Sequence, residues 1–246
     1  LAVAGGLYAG WPKESLVAER DEAIYTLHAM HLLETGHNRI DMAKLGLDDT
    51  ATVAAMASRK SLELPGIYPT GDQWTFQFSV APSVWMAQLA ATAGDAGLFR
   101  FNVLASLFSS LVLLVLLREW LPRSAAPWAL FGMVMLAFNP AQLWVSRVNL
   151  SEPLAQCFTL SGLLLFLFAL RRNQPRLALL AGLVLGTAVL VRIDSLLTLL
   201  LVLATYPLCL LLRIGDPADR RSWAAMATGA AVMSALSALY FATQVS

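Results

Sequence analysis

The sequence predicts an all-α fold: a polytopic transmembrane helix bundle with a long extracytoplasmic first loop that contains short juxtamembrane helices. Three observations carry this expectation. Of 246 residues, 58% are hydrophobic and 13% charged, about half the charged share of a soluble domain. The apolar residues gather in runs such as 98–117 and 177–191, divided by short Arg-bearing connectors. A span of about 20 apolar residues crosses a bilayer core, and several such runs cannot all be the core helices of one small globule. The polar residues concentrate in one stretch, 11–97, which holds all three histidines, 11 of the 16 acidic residues and 6 of the 17 basic ones, a balance of −5.

Taken in order, residues 1–10 are apolar and small but too few to span. They read as the tail of a truncated first transmembrane helix, with a signal-sequence remnant as the weaker alternative. The chain begins at Leu1 and stops at Ser246 directly after an apolar run, so a piece of a longer protein is expected. In the loop 11–97, residues 15–35 read as a helix: Ser15 suits the cap, Leu16, Ile24, Leu27 and Met30 fall near one face, and Gly36 suits the stop. Asp48 or Asp49 suits the cap of a second short helix reaching Lys60. The run Pro65, Gly66, Pro69, Gly71 is irregular. Residues 74–92 fit a helix lying on the membrane surface, with Trp74 and Trp85 at the interface. Gly94 and Gly97 then release the chain into the bundle, 98–246, with about six helices near 98–117, 128–145, 153–170, 176–191, 195–212 and 222–242.

Orientation follows from Arg and Lys in the short connectors. One alternating set holds Arg118, Arg123, Arg171, Arg172, Arg176, Arg213, Arg220 and Arg221. The other holds only Arg147 and Arg192. The Arg-rich side is therefore expected in the cytoplasm, which puts loop 11–97 outside the cell inner (plasma) membrane. The net charge of +1 offers no field for a nucleic-acid partner. Cys157 and Cys209 lie inside apolar runs and read as small hydrophobes.

Three groups of residues have chemistry to offer. Asp21 and Glu22 stand early in the outer loop. At a bilayer surface such a carboxylate can take the proton from a hydroxyl as that oxygen attacks a sugar's anomeric carbon; the plain alternative is a solvated helix turn. Arg100, Arg147 and Arg192 form an outer-side cationic set. Arginine near hydrocarbon is costly and tends to be paired or functional, and its fork suits a lipid-linked phosphate; the alternatives are an interfacial snorkel or pairing with Glu152 or Asp194. His28 and His31 share a helix face, with Glu34 a turn on, and are weak metal candidates; the third His lies past Gly36, and a hydrated polar face explains them better. No P-loop, Rossmann glycine pattern, Cys cluster or Gly-x-Ser-x-Gly elbow occurs.

The order of these residues resembles the N-terminal half of the GT-C class of polytopic glycosyltransferases, and within it the bacterial enzymes related to protein O-mannosyltransferases and lipid A aminoarabinose transferases. Asp21-Glu22-Ala-Ile-Tyr25, with Ala29 and Leu33-Glu-Thr-Gly36, resembles the acidic motif of the family's first outer loop. Gly94 to Arg100, running into 101–117, resembles the start of its second membrane helix. Asn139-Pro140, Ser146-Arg147 and Ser151-Glu152-Pro153 resemble the outer turn after the third. Gly182 to Asp194, closing in Arg192-Ile-Asp194, is a fourth and weaker match. The resemblance implies transfer of a sugar, with inversion, from a polyprenyl-phosphate donor to an acceptor lipid, glycan or protein outside the membrane. It implies Asp21 as the base or metal-adjacent carboxylate, with Glu22 beside it. Arg147 and Arg192 then fit the donor phosphate, and participation of a divalent metal ion stays open. Residues 67–77 lack the Lys-Pro-Pro pattern of the aminoarabinose transferases, which sets their particular donor and acceptor aside. A transporter or flippase of a lipid-linked substrate, which would need a polar mid-membrane path, and a non-catalytic assembly subunit are the alternatives.

Overall fold

The computed structural model describes residues 1–10, 21–40, 66–70, 73–212 and 220–245. The expected Ser15 cap and the helix from Asp48 or Asp49 to Lys60 lie outside the described residues. Nine α-helices occur among the described residues: α1 (Ala2–Ala9), α2 (Asp21–Thr35), α3 (Val80–Trp120), α4 (Ala126–Ala137), α5 (Pro140–Val145), α6 (Glu152–Arg172), α7 (Pro175–Val191), α8 (Ser195–Leu211) and α9 (Arg220–Val245). The protein is helical, and α3, α6 and α9 are each long and apolar enough to cross a membrane. Helices α7 and α8 are apolar but shorter, with 17 residues each.

The expected span 128–145 is interrupted. Pro140 has no N–H to continue a helix, and the Asn139 side chain accepts from the Ala141 N–H at 2.8 Å, so α4 stops and α5 begins anew. The expected surface helix 74–92 is also corrected. Residues Gln73–Phe76 form strand β3, paired antiparallel with β2 (Ile67–Thr70) and with β1 (Arg39–Ile40), in the order β1-β3-β2. Trp74 is 5% exposed and packs with Ile24, Ile40 and Phe76, so its ring is buried in the protein. The helix starts only at Val80, where Ser79 caps it by accepting from the Ala81 N–H. The signal was present: two β-rich tetrads flank Gly71-Asp72, the spacing and chemistry of a two-residue hairpin.

Helix α3 is two arms. Gly94 has φ +62°, ψ −151°, a backbone state open to glycine at little cost. The chain folds so sharply there that a β-carbon on Gly97 would strike the Leu89 carbonyl. The helix boundary expected at Gly94 and Gly97 is present as this kink, where two helical arms meet at the non-helical Gly94.

The bundle closes through small residues. Gly182 and Gly186 of α7 and Gly229 of α9 allow the two backbones to touch: a β-carbon on Gly182 would meet the Met226 carbonyl oxygen, and one on Gly229 the Leu179 carbonyl oxygen. In a bilayer, where apolar burial gives little drive, such close approach supplies the dispersion contact that holds helices together. Helix α6 turns back into α7 through Asn173, which takes the left-handed conformation at φ 49°, as a helix terminus often requires. Two ends result. Arg171 of α6 pairs with Glu119 at the end of α3 at 2.7 Å, so Arg118, Arg123, Arg171, Arg172 and Arg176 share one end. The start of α6, the last turn of α7 and the C-terminal part of α9 share the other.

Replacing Gly182 or Gly229 by Leu forces α7 and α9 apart and is expected to cost about 1–3 kcal/mol by overpacking, read as a lowered thermal midpoint in detergent. Gly6→Ala, where nothing lies within 4 Å of the added carbon, does not lower that midpoint, since alanine favours the helix more than glycine does.

Candidate functional site

The site is built on a turn. Residues 146–151 link α5 to α6, and Ser146, Val148, Asn149, Leu150 and Ser151 are all buried. A buried turn needs partners for its backbone. Asn102 of α3 supplies them, its Nδ2 donating to the carbonyls of Val148 at 2.5 Å and Leu150 at 2.8 Å. Asn149 donates to Thr26 of α2 at 2.9 Å. Ser83 of α3 donates to the Tyr25 carbonyl at 3.1 Å, and Ser79 donates to the Leu190 carbonyl of α7. Helix α2 is thereby seated over the ends of α3, α6 and α7.

A cavity of about 370 Å³ opens at this junction. Asp21 and Tyr25, one turn apart on α2, line it with Gln77, Phe78, Ser151, Glu152, Arg192, Asp194 and, from α9, Phe241. A second cavity, about 420 Å³, shares Glu152, Arg192 and Asp194 as a wall and continues among apolar helix positions with Gln156, Thr159 and Thr198.

Arg192 is the most strongly held group. Its Nε and Nη2 donate to the two Asp194 oxygens at 2.9 and 2.7 Å, and its Nη1 meets Glu152 Oε1 at 2.5 Å and Ser151 Oγ at 3.3 Å. A guanidinium has five N–H groups, so one on Nη2 is left. The bidentate bond to Asp194, opposed in part by burial, raises Arg192 above its ordinary value, and Glu152 adds to this. The same bond to Arg192 holds Asp194 below the usual carboxylate value. That contribution to stability is in place above the ordinary Asp range and is lost only as pH falls through the lowered value. Tyr25 is pushed up to about 12 by burial, with a Ser151 hydrogen bond acting in the opposite sense.

The structure sorts the residues singled out in the sequence. Asp21 is exposed at the cavity. Glu22, its neighbour, is 4% exposed and points into the interior, outside the cavity lining. Of the arginines, Arg192 lines both cavities. Arg147 donates through Nε and Nη2 to the Leu7 carbonyl at 3.1 and 2.8 Å, which fastens α1 to the turn. Arg100 is exposed on α3 and lines neither cavity. His28 is 1% exposed, stacks on Phe76 with ring centres 4.1 Å apart and donates from Nε2 to Asn38 at 2.5 Å. His31 Nε2 meets the Arg39 carbonyl at 3.1 Å. Among the described residues no three His, Cys, Asp or Glu side chains gather as a metal-binding set, so the histidines are accounted for by packing and hydrogen bonding. Sequence reading did not single out Gln77, Phe78 and Phe241, because aromatic and amide residues in apolar context give no signal until α9 is folded onto α3.

No family model matches the chain, and no curated protein or solved structure matches it.

Two outcomes follow for the site's frame. Asn102→Leu strands the Val148 and Leu150 carbonyls, each costing about 1–3 kcal/mol, and should lower the thermal midpoint while the helix content by circular dichroism stays near that of the parent. His28, with its pKa lowered to about 4 by burial, stays neutral in the fold while the unfolded chain takes up a proton below about pH 6.5. Stability is then full above that pH, declines by about 3 kcal/mol toward pH 4, and loses this part of its pH slope in His28→Gln, read by thermal unfolding between pH 7.5 and 4.5.

Proposed function

We propose that the chain forms the outer-face site of a membrane glycosyltransferase. It would be multi-pass in the cell inner (plasma) membrane, with residues 11–97 outside, and would pass a sugar from a polyprenyl-phosphate donor to an acceptor hydroxyl with inversion. The observation that carries this reading is that Asp21 and Arg192, far apart in sequence, line the same cavity. They sit at the end of the bundle opposite the arginine-rich one, the end that the distribution of Arg in the short connectors assigns to the outside.

In this reading an acceptor oxygen attacks the anomeric carbon from the face opposite the phosphate. The Asp21 carboxylate takes the hydroxyl proton. The bond from the anomeric carbon to the phosphate oxygen breaks, and its electron pair leaves on the phosphate. General-base assistance of this kind contributes about 10²–10⁴ in rate. Arg192 stands where the two cavities meet. Its Nη2 hydrogen is available to the leaving phosphate, while Glu152 and Asp194 hold the guanidinium in a fixed orientation, so the donor need not reorganise it at the moment of reaction. Among the described residues no three His, Cys, Asp or Glu side chains converge as a ligand set, and no step is routed through a metal ion.

The test is sugar transfer by full-length protein in lipid, with a panel of synthetic polyprenyl-phosphate sugars and a membrane extract as acceptor. Asp21→Asn is expected to lower transfer at least about a hundredfold with the unfolding midpoint unchanged. A folded Asp21→Asn protein that transfers at the parent rate removes Asp21 from the mechanism. Absence of transfer from every donor by the parent protein, with movement of the lipid across the bilayer, would favour a flippase.

A further inference from the structure

The cavity that Asp21 lines has walls of two kinds, and together they define what fits beside the base. One wall is aromatic. Tyr25 and Phe78 stack with ring centres 5.0 Å apart and an interplanar angle of 24°, and Phe241 reaches the same cavity from α9. All three rings line the cavity, and an aromatic face attracts the weakly positive C–H groups of a ring laid against it. The other wall is polar and mostly accepting: among the described residues, Asp21, Glu152 and Asp194 stand with one cation, Arg192, which pairs with Glu152 and Asp194. The balance among the described residues that line the cavity is two negative charges. Gln77, exposed at the rim, adds an amide that both donates and accepts.

A pyranose ring has this pair of complements: a C–H face for the aromatics and several O–H donors for the carboxylates. The volume of about 370 Å³ is at the lower end of small-molecule sites. The second cavity, walled by the bundle helices and mostly apolar away from Arg192, is the side from which a lipid-borne donor would approach. We infer that the Asp21 cavity is the acceptor subsite, and that the acceptor is a saccharide ring without negative charge, laid on Phe78 and Phe241. A peptide hydroxyl offers one O–H and no such face. A uronic acid whose carboxylate lies beside Asp21 meets like charge, which costs affinity. This rests on the glycosyltransferase reading for the role of acceptor, but the binding of the ring can be measured without turnover.

The experiment is saturation-transfer NMR with full-length protein in nanodiscs, using methyl glycosides of neutral hexoses, methyl glucuronide and a Ser/Thr-containing peptide as probes. Saturable binding of a neutral glycoside is expected. Phe78→Ala and Phe241→Ala should weaken it about tenfold, and Phe108→Leu, on the exposed face of α3, should leave it unchanged. The glucuronide should bind at least about tenfold more weakly and gain in Asp21→Asn, which removes one negative charge. In the transfer reaction the bound glycoside should become the product. Equal or tighter binding of the glucuronide, indifference to both aromatic substitutions, or transfer to the peptide in preference to every glycoside overturns the inference while leaving the transferase reading intact. Glycoside binding with these dependences but no transfer from any donor overturns the transferase reading and keeps the saccharide site.

Discussion

The structure hangs on the hydrogen bonds that Asn102 makes to the carbonyls of Val148 and Leu150. An irregular turn carried into the interior is unstable unless its peptide groups are met, and water is not there to meet them. With the turn held, its neighbours connect elements that no sequence-local force would join. Arg147 reaches back to α1, Asn149 to α2 and Ser151 to Arg192 at the end of α7. One side-chain amide on α3 thus fixes the platform on which α2 rests. The position of Asp21 follows from that seating, since Tyr25, a turn further on, is anchored by Ser83.

The charge layout follows the same division into two ends. The arginines of the connectors collect where α3 and α6 end, and the one acidic residue described there, Glu119, is paired with Arg171. At the opposite end Arg192 stands among carboxylates. Three functional groups on Arg192, Glu152 and Asp194 form a partition between two cavities. A partition of charged groups in fixed geometry is costly to desolvate and contributes little net stability. Its value lies in orientation: the guanidinium plane is fixed by the bidentate bond to Asp194 before any ligand arrives.

Much of this was legible in the residues. The Gly94 bend, the membrane-type composition and the pairing of Arg192 with Asp194 each rest on local chemistry: a left-handed backbone, apolar runs, opposite charges two residues apart; the break at Asn139-Pro140, inside the expected span 128–145, went unread although the missing N–H of Pro140 marks it. The sheet was passed over because Trp74 and Phe76 look as apolar as the helix that follows them, so period did not separate a strand from a helix start and only the turn residues between the two tetrads marked it. Glu22 was misleading for a related reason. Adjacent carboxylates look alike in sequence, yet successive helix residues point about 100° apart, so Asp21 faces the cavity and Glu22 the core.

What the sequence by itself determined was the kind of protein and its local punctuation: apolar helices long enough to span, the arginine asymmetry between their ends, and the places where glycine, asparagine and proline bend or stop the chain. Those properties depend on a residue and its near neighbours. The tertiary structure alone decided which of three arginines shares a cavity with Asp21, that His28 is buried against Phe76, and that Phe241 of α9 closes a cavity begun by α2. Each of these depends on contacts between segments distant in the chain, set by glycine-lined helix packing and a buried turn, whose geometry no local pattern encodes.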